Sequence, residues 1–66
     1  MKANIDEIIS AESSAMLSII RDFSVGQDFV YHFAWYLSGL YPEITTDDWV
    51  ELDEKLLEFW RENTQP

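Results

Sequence analysis

The sequence predicts an all-α fold, a small three-helix bundle open to completion by dimerisation. Three observations lead there. Apolar residues recur at steps of three and four along three stretches, helix stop and start signals separate those stretches, and no alternating apolar–polar run of strand type occurs. The chain has 66 residues, the size of one domain. Residues 1–66 are read as a single helical domain with helices at about 4–23, 25–38 and 46–62.

In the first helix, Ile5, Ile8, Ile9, Ala15, Met16, Ile19, Ile20 and Phe23 fall on one stripe. Asn4 is placed to cap it, and Glu7 completes a capping-box spacing. The stretch Ser10–Ser14 is a weak helix former. Glu12 lies on or near the stripe, between Ile9 and Met16, with its carboxylate either in water at the edge or turned toward a partner.

Ser24 and Gln27 give a second capping-box spacing, with Gly26 allowing the start to slip to Gln27 or Asp28. The expected core stripe of this second helix is Val25, Phe29, Phe33, Tyr36, Leu37 and Leu40. Gly39 is expected to end the helix in a left-handed conformation, and Tyr41-Pro42 prevents its resumption. Val30, Tyr31, Ala34 and Trp35 occupy the remaining sides, so the helix is apolar nearly all round. Two neighbours cannot surround a helix, so Tyr31, Trp35 or both are expected on the surface of a monomer. Exposed Trp and Tyr are the usual anchors of protein interfaces; the bland alternative packs them under the first helix or the loops.

The third helix has the clearest start. Thr45 caps, Asp48 stands at the third helical position, and Ile44 and Trp49 have hydrophobic-staple spacing. Asp47 and Asp48 also suit the positive end of the helix dipole. Its stripe is Trp49, Leu52, Leu56, Phe59 and Trp60, flanked by Leu57. Asp47, Glu51, Glu54, Glu58 and Glu62 follow steps of four, three, four and four and form an acidic ridge. Glu51 and Lys55 have the favourable order for an i,i+4 pair. The ridge is either a solvated face or a row of carboxylates that mimics phosphates and meets Arg and Lys on a partner.

A domain this short buries only about 60% of the surface its unfolded chain exposes. Small scaffolds therefore add a disulfide, a metal or a partner. Cysteine is absent and His32 is the one histidine, which leaves self-association or a protein partner. Thirteen acidic residues against four basic ones give a formal charge of −9. Direct binding to nucleic-acid phosphates is disfavoured, and a basic partner surface is favoured; the plainer role of the charge is solubility. Met1–Glu7 lacks the apolar core of a signal peptide, and no apolar run approaches a membrane span, so the cytoplasm is the expected compartment.

No catalytic, cofactor or metal site is expected, and the chain is not read as an enzyme. Asp28 and His32 have i,i+4 spacing, but this is the pattern of a surface pair and no nucleophile stands beside it. Asp47-Asp48 and Asp53-Glu54 lack the turn glycine of a calcium loop. The residues expected to bind a partner are Asp47, Asp48, Glu51, Glu54, Glu58, Glu62, Tyr31 and Trp35.

The segment Arg21-Asp22-Phe23-Ser24-Val25-Gly26-Gln27-Asp28-Phe29, followed by Phe33, Tyr36 and Leu40-Tyr41 and then Glu51-Leu52-Asp53-Glu54-Lys55-Leu56-Leu57, resembles small helical immunity proteins of the colicin D type. The resemblance covers roughly Ile19 to Trp60. It implies an acidic helical bundle whose acidic face covers the basic active site of a tRNA-cleaving toxin. The expected function is thus a non-enzymatic inhibitor or neutraliser of a basic, nucleic-acid-acting partner, a nuclease or a nucleic-acid-binding complex, in the manner of an immunity protein or antitoxin. Size and charge also fit a phage-encoded inhibitor of host defence such as an anti-CRISPR protein. A structural homodimerisation module is the alternative from a different class.

Overall fold

Asn4 opens the first helix: its side-chain oxygen accepts the Glu7 backbone N–H at 3.2 Å. A computed structural model describes residues 4–64. The helices are α1 (Ile5–Ile19), α2 (Gly26–Leu40) and α3 (Thr46–Thr64), and a single 3-10 turn, Ile20–Asp22, continues α1. No strand occurs among the described residues, and the protein is a small all-α three-helix bundle.

The weak stretch of α1 stays helical, with the Ser13 hydroxyl donating back to the Ser10 carbonyl at 2.9 Å. The α-helical part of the first element is shorter than its apolar pattern. At Ile19 the backbone leaves α geometry, with φ −126° and ψ 4°, and the chain tightens into the 3-10 turn. That turn carries Ile20 into the core and lets Phe23 extend away before α2 begins.

The start of α2 differs from the capping-box expectation. Val25 is its N-cap, with no side-chain capping bond, and Val25 is 51% exposed rather than in the core. The reason lies at Gly26, which is buried under α3. A Cβ placed there would come within 2.7 Å of Leu57 Cδ1 and 2.9 Å of Trp60 Cε3. The missing side chain lets α2 approach α3 on the face of Gly26, Val30, Phe33 and Leu37. The buried stripe is therefore rotated from the expected one. Phe29, Val30, Phe33 and Leu37 are buried, whereas Val25, Tyr36 and Leu40 are exposed.

Gly39 does not end α2. No glycine has positive φ among the described residues, and the helix runs on to Leu40. Tyr41 stops it, its backbone N–H donating to the Leu37 carbonyl at 2.8 Å. Pro42 follows, and the Ile44 N–H closes a turn on the Tyr41 carbonyl at 3.2 Å.

The capping box of α3 forms as its sequence requires. Thr45 Oγ1 accepts the Asp48 N–H at 3.2 Å, and Asp48 Oδ2 accepts the Thr45 N–H at 3.4 Å. Ile44 is buried and Trp49 packs against the core, the two ends of the staple. α3 packs along both other helices, and Leu52 and Leu56 are fully buried between them. Ile5, Ile8 and Met16 close the core from α1.

Candidate functional site

Tyr31 and Trp35 lie one turn apart on α2 and are both 68% exposed. Their rings pack edge to face with centroids 6.4 Å apart. Of the two sequence-based readings for these aromatics, the structure supports the exposed one. Among the described residues no other element covers them, because two neighbouring helices cannot surround α2.

Between this pair and α3 lies a notch of about 320 Å³, lined by Tyr31, Ala34, Trp35, Ser38, Trp49 and Asp53. Asp53 is not among the residues the sequence points to for partner binding. The signal was its place one turn after Trp49, on the flank of α3 that faces α2. Partial burial there pushes the Asp53 carboxyl above the usual value of 3.8. On the other side of Trp35 a wider concavity is edged by Asp22, Asp28, His32 and Tyr36. Phe23 packs on His32 with ring centroids 5.3 Å apart. Asp28 forms no ion pair with His32 among the described residues.

Asp47, Glu51, Glu54, Glu58 and Glu62 are all exposed, so the ridge on α3 exists as a surface feature. Asp48 stands apart from it. It is only 7% exposed, and its carboxylate is committed to the Thr45 cap, which removes it from the accessible binding set. The expected Glu51–Lys55 pair is replaced by a contact between helices. Lys55 Nζ lies 3.0 Å from Asp6 Oδ1 on α1. The Asp6 hydrogen bond and charge raise the Lys55 pKa above 10.5; Glu51 and Glu58 add to this, and burial opposes it. No ion pair involves a ridge carboxylate among the described residues.

The ridge lies on α3, whereas the aromatic pair lies on α2, across the notch from Trp49 and Asp53. Glu58 and Glu62 border the groove toward α1, with Asp6 and Lys55. Trp49 and Asp53 border the notch toward α2. A partner that engages both must therefore reach across the outward face of α3.

No cluster of three or more metal-ligating side chains occurs among the described residues. No helix there is long and apolar enough to cross a membrane. Comparison with protein-family models, curated proteins and solved structures finds no match.

Proposed function

We propose that this is a non-enzymatic binding protein that neutralises a basic, nucleic-acid-acting protein. The observation that carries this reading is the exposed pair Tyr31–Trp35 on a strongly acidic molecule. Exposing two large aromatics in one patch is unfavourable for a monomer, and such patches mark interfaces. The charge defines the partner. Five exposed carboxylates on α3, Asp47, Glu51, Glu54, Glu58 and Glu62, have no ion-pair partner among the described residues. They suit a surface that otherwise holds phosphates.

The triple variant Glu51→Lys, Glu54→Lys and Glu58→Lys tests the reading. All three positions are exposed, so the helical circular-dichroism spectrum should be retained. Wild-type protein immobilised on resin should retain a basic nucleic-acid-acting protein and release it with salt, and should block that protein's activity on nucleic acid. The variant should bind it at least about tenfold more weakly. Equal retention by both forms would overturn the role of the ridge.

A further inference from the structure

We propose that the notch of Tyr31, Trp35 and Trp49, with Asp53 at its edge, receives an arginine side chain of the protein partner. The inference rests on the reading above and names the chemistry that the aromatic face takes.

Three aromatic side chains from two helices line this small space. Aromatic faces attract cations, tryptophan most strongly, and guanidinium groups stack on them. Ala34 and Ser38, one turn apart on α2, are small and leave the space open between the rings. The notch is open to solvent and about 320 Å³ in volume, room enough for one side chain to lie across the rings.

The charge selects the occupant. Asp53 is the one charged residue lining the notch, and it has no ion pair among the described residues. Asp53 is exposed at the rim, and the side chains beside it take enough of its hydration to raise its pKa. An apolar occupant would bury this carboxylate further without a partner, which is unfavourable. A guanidinium provides what is missing, with two parallel donors for the carboxylate and a planar face for the rings. Lysine offers a compact, strongly hydrated charge and no plane, so it fits less well.

The same charge count argues against a second copy of this chain. Asp53 edges the notch and Asp22 and Asp28 edge the concavity beyond Trp35, while no lysine or arginine among the described residues lines either. Self-docking by a two-fold axis through this face would bring these carboxylates together uncompensated.

The test uses the full chain, labelled with ¹⁵N, and short blocked peptides Gly-Arg-Gly, Gly-Lys-Gly, Gly-Leu-Gly and Gly-citrulline-Gly. Citrulline keeps the shape of arginine and removes its charge. The indole N–H signals are assigned with Trp→Phe variants. The arginine peptide should shift Trp35 and Trp49 saturably. Trp60, whose indole donates to the Phe23 carbonyl, should remain in place. The citrulline and leucine peptides should bind at least about fivefold more weakly, and Asp53→Asn and Trp35→Ala should each weaken arginine binding about threefold or more. The triple ridge variant should retain the notch response. A lost notch response with ridge-dependent capture intact would overturn this inference and leave the functional reading standing. The reverse result would do the opposite. Equal binding of arginine and citrulline, unmoved Trp35 and Trp49, or an unchanged affinity in Asp53→Asn would each overturn the arginine site. So would a dimer in solution that Trp35→Ala converts to monomer, because a second copy would then own the face.

Discussion

Glu12 shows how one side chain converts an apparent flaw into a tie between elements. It interrupts the apolar stripe of α1, and local sequence left its carboxylate in water or against a partner. The structure places it half-buried, where α1 meets the end of α2. Tyr41 Oη donates to Glu12 Oε2 at 2.9 Å, and Tyr36 Oη approaches Glu12 Oε1 at 3.4 Å. These tyrosines stand at the end of α2, so the contact is invisible to any reading of helical periodicity. The bond holds the Tyr41 phenol in its protonated form and raises its pKa above 10.0, with burial and the charges of Glu12 and Glu43 acting the same way. The contribution to stability is therefore fully present below the ordinary tyrosine pKa and is lost as pH rises through the folded value. Replacing Glu12 by Gln should bring Tyr41 back toward its ordinary titration and lower the pH of alkaline unfolding. Tyrosinate absorbance and ring NMR signals report both. Identical Tyr41 titration in the two proteins would remove Glu12 as the cause.

At the scale of elements, the two glycines of α2 have opposite roles, and their substitutions should have opposite signs. Gly26→Ala forces a methyl group toward Leu57 and Trp60. Leu57 can yield, but the Trp60 ring is held by its 2.9 Å bond to the Phe23 carbonyl. The overpacking should outweigh the gain in helix propensity and lower stability by about 1–2 kcal/mol. At Gly39 nothing lies within 4 Å of the added methyl, and the residue is helical. Gly39→Ala should raise stability by about 0.5–1 kcal/mol. Urea unfolding of both variants measures the pair; a neutral Gly26→Ala would mean that α2 and α3 can part freely at that crossing. The contrast marks what was legible. The Thr45–Asp48 cap and the three helices were readable, because capping and periodicity depend on neighbours within a turn or two. The exposed Tyr31 and Trp35 followed from the number of helices. The close approach at Gly26 was not readable, since Leu57 and Trp60 come from another helix. Its consequence, the rotation of the α2 stripe, was missed with it. Asp48 fits both the cap and the acidic binding set in the sequence. A capping carboxylate and a binding carboxylate look alike in sequence, and only packing separates the 7% exposed residue from the open ridge beside it.

For the whole molecule, the formal charge of −9 acts on folding and on binding with opposite dependence on salt. The described residues span 37 Å along their longest axis, and the ridge carboxylates repel one another across α3. Lys55, one of only four basic residues, is already engaged with Asp6. Self-repulsion should therefore dominate the surface electrostatics of the free protein. Salt that shortens the Debye length from about 30 Å at 0.01 M to about 8 Å at 0.15 M should relieve it. Relief of about 0.5 kcal/mol corresponds to a Tm increase of roughly 2–4 °C in a domain of this size. The Lys55–Asp6 pair is weakened by the same salt, but an exposed pair of this kind contributes little. Binding to a basic partner should respond in the other direction, losing affinity over the same range. Melting curves and binding isotherms recorded in one salt series separate the two effects. A Tm that falls as salt rises would show that attractive pairs govern the free protein, and the ridge would then be part of the fold's own electrostatic balance instead of charge left free for a partner.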